Sequence, residues 1–403
     1  MRLSKAFIPI GALTLALGVG GSVAEGAQRD SQDRGGRQSE GGLRVLSARK
    51  TPIELRSDTF TLPTPAMRRA MAEAEVGDDQ YGEDPTVNKL EKRAADAVGK
   101  EAALYVASGM LGNLCGVLSQ TERGDEVILG DLAHIYQNEM GASFVLGSLQ
   151  PRLVPNRDGL PALEDIEAAI RPQGMFPRTS LVCLENSHNN CGGSVITAAQ
   201  TEAVATLAHR RGMRVHLDGA RIFNAAAALG VDARELCAPA DTVQFCFSKG
   251  LSAPVGSILC GTAETVARAR RVRKLLGGAM RQAGVIAAAA LVALEEMRDR
   301  LVEDHRNAKA LAQGLSRIRG VRIDPDRVVT NIVSFEIEPE WMDAALFVKS
   351  CAERGLRISR YLGNSPRLRA VTHYGIERSD IEDALAMIDE VMSKARTPVA
   401  AAD

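Results

Sequence analysis

The sequence predicts an α/β protein: a large domain with a mostly parallel central sheet flanked by helices, then a smaller C-terminal α+β domain. Three observations predict it. From residue 100 onward, short apolar runs alternate with longer stretches of helical period, the rhythm of βαβ units. After a long helical stretch ending near Leu315, the rhythm changes to strand, helix, two strands and helix. The chain has 403 residues, too many for one average domain, and its 45% hydrophobic content is ordinary for a protein with a substantial core.

The first residues stand apart from this pattern. Arg2 and Lys5 precede an uncharged run from Ala6 to Val23, and small residues offer a cleavage site after Ala24. Basic, apolar and small segments in this order read as a secretory signal peptide over residues 1–24. The Gly content and Pro9 argue against a stable membrane span. Residues 25–51 are polar, Gly-rich and aperiodic, and read as a disordered linker. The alternative is a start assigned too far upstream, with the folded protein beginning near Pro52. Seven cysteines, an odd number with no CxxC pair, give neither a disulfide framework nor a zinc site, so no metal is expected. Their apolar surroundings suit a reducing compartment. The N-terminal pattern points to the periplasm and the cysteines to the cytoplasm.

The large domain is expected over 52–300 and the small one over 301–396. Expected strands are Ala103–Ala107, Glu126–Leu129, Leu181–Glu185, Arg214–Asp218, Thr242–Phe247 and Ser257–Cys260. Expected helices are Leu160–Ile170, Ala198–Arg211 and a long one from Arg281 to about Leu315. In the small domain the pattern gives strand Asn331–Ile337, helix Trp341–Arg354, strands Leu356–Ser359 and Leu368–Thr372, and helix Ser379–Ala395. Lys plus Arg is 49 and Asp plus Glu is 50, a net charge of -1, which speaks against a nucleic-acid binder. The basic run Arg268–Lys274 has helical spacing and reads as a solvated or subunit-facing helix side.

Ligands of open parallel sheets bind outside the carboxyl ends of the strands, where three polar signals lie. In YVASGMLGN, Ser108, Gly109 and Met110 follow a strand and open a helix, whose free N–H groups suit a phosphate. In RVHLDGARIF, Asp218 ends a strand; it caps the next helix or holds a cationic nitrogen. In QFCFSKGLSAPVG, Lys249 ends a strand, and Ser248, Gly250 and Ser252 leave room beside it. A partly desolvated lysine can form a Schiff base. Lysine and aspartate at neighbouring strand ends, with a phosphate cradle on another, are what pyridoxal 5'-phosphate requires. The lysine carries its aldehyde, the carboxylate keeps its pyridine nitrogen protonated, and the helix start takes its phosphate.

Five motifs, in order, carry a resemblance: Glu54–Thr59 (ELRSDT), Gly77–Thr86 (GDDQYGEDPT), His216–Arg221 (HLDGAR), Ser248–Leu251 (SKGL) and Gly277–Gln282 (GGAMRQ). Over roughly residues 53–395 the chain resembles low-specificity L-threonine aldolases, pyridoxal-phosphate enzymes of fold type I. The resemblance implies that Lys249 is the Schiff-base lysine, Asp218 the pyridinium partner and Arg221 a contact to the ring oxygen. It implies that His134 stacks on the ring, Gly109 and Met110 offer N–H groups to the phosphate, and Ser57 and Arg369 bind the substrate carboxylate. Arg367 is the rival carboxylate binder. His188 would face the substrate hydroxyl, while Tyr81 and Arg281 would reach a neighbouring subunit's site in a dimer or tetramer. The family usually has Thr where Met110 stands, so one phosphate hydrogen bond of about 1 kcal/mol is lost. The implied reaction cleaves β-hydroxy-α-amino acids to glycine and an aldehyde. Another β-eliminating lyase of this fold, and an exported cofactor-binding protein with little catalysis, are the alternatives.

Overall fold

The computed structural model describes residues 51–172, 174–361 and 365–395. The expected signal peptide and nearly all of the expected linker lie outside the described residues.

The central sheet has seven strands: β1 Ala102–Val106, β2 Glu126–Gly130, β3 Gln150–Val154, β4 Thr179–Glu185, β5 Arg214–Asp218, β6 Thr242–Cys246 and β7 Ser257–Gly261. Their spatial order is β1-β7-β6-β5-β4-β2-β3. β7 runs antiparallel to both β1 and β6, and every other pair is parallel. Because β7 opposes both neighbours, β1 and β6 share a direction, and all strands but β7 end on one side. β5 and β6 are buried almost throughout because helices cover both faces of a parallel sheet. The sequence reading did not include β3. Its Gln-Pro-Arg-Leu-Val is mostly exposed, and an edge position tolerates Pro151.

The helix expected from Arg281 to Leu315 is two helices, Gly284–Glu296 and Leu301–Leu315. No Gly or Pro marks the break, so the period continues through it in sequence. A tertiary contact anchors the start of the first helix, and a local ion pair lies in the first turn of the second. Gly284 N–H donates to Asp84 Oδ2 at 2.8 Å, and the same carboxylate caps helix Pro85–Val98 through the N–H groups of Thr86 and Val87. After the break, Arg300 pairs with the buried Asp304 at 2.7 Å.

The C-terminal sheet contains β8 Val321–Arg322, β9 Ile332–Ile337, β10 Ser359–Arg360 and β11 Arg367–Val371, in the antiparallel order β8-β9-β11-β10. Helices Leu301–Leu315, Ala344–Glu353 and Arg378–Ala395 bury their apolar faces in its core. Ile53 and Leu55 join that core, and Ile53–Glu54 pairs in parallel with Leu356–Arg357. The first described strand therefore packs with the C-terminal domain, although the sequence reading counted it in the large one. It delivers Ser57 and Asp58 to the region between the two cores. The strand expected at Leu356–Ser359 divides: Leu356–Arg357 pairs with Ile53–Glu54, and Ser359 begins β10.

Candidate active site

A cavity of about 280 Å³ opens where β1, β5 and β6 end, and Ser108, Gly109, Met110, His134, Asp218, Ser248 and Lys249 line it together. Asn113, Glu139, Gln244 and Cys246 line it too. A larger cavity of about 610 Å³ lies between Cys191–Ser194 and the C-terminal sheet, but it has no lysine. Chemistry rather than size identifies the site: only the smaller cavity joins an amine, a buried carboxylate and a helix start.

Ser108 caps helix Gly109–Leu118, its Oγ accepting from Leu111 N–H at 3.2 Å. The first-turn N–H groups of Gly109 and Met110 are those a helix leaves without intrahelical partners, and they suit a phosphate. Position 109 requires glycine, since a Cβ there would lie 2.8 Å from Cys246 Sγ. Met110 stands 39% exposed at the cavity and brings no hydroxyl. Close to Gly109, the buried Gln244 Oε1 and Ser257 Oγ have no hydrogen-bond partner. Such orphaned polar atoms are expected where a polar group binds. The residues present therefore fit pyridoxal 5'-phosphate.

At the other end of the cavity, Asp218 is buried. Its Oδ1 accepts from Ala220 N–H at 3.1 Å, and its Oδ2 accepts from Asn113 Nδ2 at 2.9 Å. It thus caps the following turn and also lines the cavity. Lys249 is half-buried on the next strand end.

His134 Nδ1 lies 2.8 Å from Glu139 Oε1, and its backbone N–H donates to Glu185 Oε2 at 2.8 Å. Burial pulls the imidazole pKa down, but the hydrogen bond to Glu139 and the Asp218 and Glu185 carboxylates outweigh it, and the net shift is upward. Burial pushes the Glu139 carboxyl up, as does Asp218, against the lowering effect of His134 and Asn113. Glu139 and Asn113 escaped the sequence reading. Asn113 lies four residues after Gly109, one turn along the same helix, a spacing that could have found it. Glu139 follows His134 across a helix end and shows no periodic signal.

Arg221 is buried, and its Nε and Nη2 each donate to Asp58 at 2.7 Å. That leaves Nη1 for the ring-oxygen contact expected of it, and Arg221 does not line the cavity. Burial would raise the Asp58 carboxyl, but Arg221, then Lys249 and Asn331, hold it well below the usual carboxylate range.

Ser57 is buried beside Asp58, its Oγ accepting from Thr59 N–H at 3.3 Å. Arg369 donates to Asn189 Oδ1 at 2.7 Å and to Arg56 O at 3.1 Å. Arg367 instead donates to Ser334 Oγ at 3.0 Å and Asn190 O at 3.3 Å, and lines the larger cavity. Arg369 is thus held next to the Ser57 segment, while its rival faces elsewhere. His188 is 1% exposed, with both ring nitrogens lacking a hydrogen-bond partner and Nε2 3.5 Å from Glu185 Oε2. It does not line the Lys249 cavity. Tyr81 is 72% exposed, and Arg281 donates to Asp78 Oδ2 at 2.9 Å. Neither lines the Lys249 cavity of its own chain.

A mostly parallel sheet that brings a lysine, a buried aspartate and a helix start to one cavity defines the class: pyridoxal 5'-phosphate enzymes of fold type I. The chain belongs to the β-eliminating lyase family, whose sequence profile matches residues 54–338. It is 47% identical over 352 residues to low-specificity L-threonine aldolase 1 of Arabidopsis thaliana, covering 86% of this chain and 98% of that one. It is 41% identical over 336 residues to the low specificity L-threonine aldolase of Escherichia coli K12, covering 83% and 97%. In structure it resembles the threonine aldolase of Leishmania major, with a TM-score of 0.72 at 18% identity over 85% of this chain and 100% of that chain. This last likeness speaks to the fold.

Proposed function

We propose that this chain is a pyridoxal 5'-phosphate-dependent aldolase that cleaves L-threonine, L-allo-threonine and related β-hydroxy-α-amino acids to glycine and an aldehyde. The observation that carries the proposal is the shared cavity of Lys249 and Asp218 at adjacent strand ends. When bound, the cofactor supplies an electron sink for the breaking Cα–Cβ bond. Lys249 anchors it, and Asp218 holds the proton at its ring nitrogen. Ser108, Gly109 and Met110 take its phosphate. Arg221, through Nη1, is assigned to its ring oxygen. Arg369 and Ser57 hold the substrate carboxylate and so orient the Cα–Cβ bond.

His134, which lines the cavity, would stack on the bound ring. Its Nδ1–H is tied to Glu139, so Nε2 carries the free lone pair and takes the β-hydroxyl proton. His188 is assigned to the hydroxyl side, its ring nitrogens making no hydrogen bond and Nε2 lying 3.5 Å from Glu185 Oε2. Broad specificity is expected, because one methyl at the β-carbon is worth only about 1–3 kcal/mol of discrimination.

Tyr81 and Arg281, which do not line their own chain's cavity, are assigned to the site of a second copy in a dimer or tetramer. For residues 1–24 the reading remains export to the periplasm with cleavage after Ala24, which N-terminal sequencing of fractionated cells decides. No helix among the described residues is long and apolar enough to cross a membrane.

The family match also allows a second reading, β-elimination. Purified protein given threonine, phenylserine and tyrosine should yield glycine and aldehyde from the first two. Formation of 2-oxo acid and ammonia instead would select elimination.

A further inference from the structure

His134, Glu139 and Asp218 bring their polar atoms within 4.8 Å of one another, so two buried carboxylates crowd one corner of the cavity. The amide of Asn113 lies between them. Its Nδ2 is 2.9 Å from Asp218 Oδ2 and 2.8 Å from Glu139 Oε1, one hydrogen for each. Ionised carboxylates only accept, so the amide must present its NH₂ to them and its oxygen away.

A buried row of donors fixes that orientation. Gln120 Nε2 donates to Thr242 Oγ1 at 2.7 Å, and the Thr242 hydroxyl, 2.8 Å from His216 Nδ1, can give that ring nitrogen its hydrogen. His216 is then protonated at Nε2, which donates to Asn113 Oδ1 at 3.1 Å. Burial pushes the His216 imidazole down to about 4, so the ring is neutral and has this one hydrogen to give. Its place is shaped for it: a Cβ on Gly116 would meet His216 Cε1 at 2.5 Å. Every donor in the row points toward the two carboxylates, and such chains polarise one another.

We infer that Asn113, oriented by His216, is the positioning residue that aims Asp218 at the cofactor ring nitrogen and holds Asp218 and Glu139 side by side. The inference rests on the assignment of Asp218 as pyridinium partner. Asn113 acts through Asp218 and Glu139, and its amide does the work a water could not do in a fixed direction.

The test uses the full chain loaded with pyridoxal 5'-phosphate isotope-labelled at the ring nitrogen, read by nitrogen NMR, with cofactor affinity measured in parallel. The parent should show a protonated ring nitrogen, and Asp218→Asn should lose that signal. Asn113→Leu should lose most of it and bind cofactor roughly tenfold more weakly, because hydrogen bonds to a charged group are removed. His216→Gln, which can still donate an amide hydrogen to Asn113 Oδ1, should retain it. His216→Leu should lose part of it, and this variant carries the test if Asn113→Leu does not fold. A parent-like signal in folded Asn113→Leu or His216→Leu, with the signal lost in Asp218→Asn, overturns the inference alone. A parent-like signal in Asp218→Asn overturns the assignment of Asp218 beneath it.

Discussion

Asp58 and Arg221, 163 positions apart in sequence, form a buried two-pronged ion pair, with Arg221 Nε and Nη2 each 2.7 Å from a different carboxylate oxygen. The pair ties the N-terminal segment, which packs on the C-terminal core, to the turn after Asp218. Asn331 adds a third hydrogen bond to Asp58 at 3.2 Å from the C-terminal domain itself. Removing one partner leaves the other charge buried and alone. Asp58→Ala should therefore destabilise the protein by about 3–5 kcal/mol. Chemical denaturation measures it, and a midpoint equal to the parent's would contradict the role given to this pair.

The bond from His134 Nδ1 to Glu139 sets the pH profile. Glu139, Asp218 and Glu185 raise the His134 pKa above 6.5 against burial and Lys249. The base is the neutral ring, so kcat/KM should rise as pH climbs through that raised value. Glu139→Gln removes the largest upward contribution, and the acid limb should move to lower pH while the rate falls. The stability sign agrees: a raised folded pKa stabilises below pH 6.5, and that contribution is lost as pH rises through the folded value. An acid limb unmoved in Glu139→Gln would remove His134 from the proton-accepting role.

His216 works in the opposite direction. Its folded pKa is lowered from 6.5 to about 4 by burial. A lowered value contributes stability that is fully present above pH 6.5 and is lost as pH falls through about 4. The loss is on the order of 3 kcal/mol for a shift of this size. Unfolding midpoints measured across that window should fall less steeply in His216→Gln than in the parent. Parallel curves would show that His216 is not buried neutral.

The strands carrying the site were legible because a parallel sheet covered on both faces leaves short runs rich in apolar residues, and because Ser108, Asp218 and Lys249 stand at or just past their carboxyl ends. What escaped depends on contacts between distant residues. Nothing near Glu139 signals that it will meet His134 and Asn113. The break within residues 281–315 carries no Gly or Pro to mark it, and Asp84, which holds the start of the first helix, lies 200 positions away in sequence. The pairing of Ile53–Glu54 with Leu356–Arg357 joins segments far apart in sequence, and two-residue strands have no periodicity to read.

The two arginines of β11 should separate cleanly. Arg369 lies beside Arg56 and Asn189, whereas Arg367 stacks over Tyr361 at 4.6 Å and reaches Ser334. Arg369→Ala should raise KM for threonine by about tenfold or more, from the loss of a charge-assisted contact to the substrate carboxylate. Arg367→Ala should change it little. The reverse pattern would move the carboxylate to the larger cavity.

The most direct measurement concerns Lys249. Full-length parent and Lys249→Ala are loaded with pyridoxal 5'-phosphate, their visible spectra are recorded, and glycine released from L-threonine is quantified. The parent should show the absorbance band of lysine-bound cofactor and release glycine with an equal amount of aldehyde. Lys249→Ala should keep its fold, lose that band and release no glycine. A folded Lys249→Ala protein with the parent's spectrum and glycine release would contradict the account at its centre.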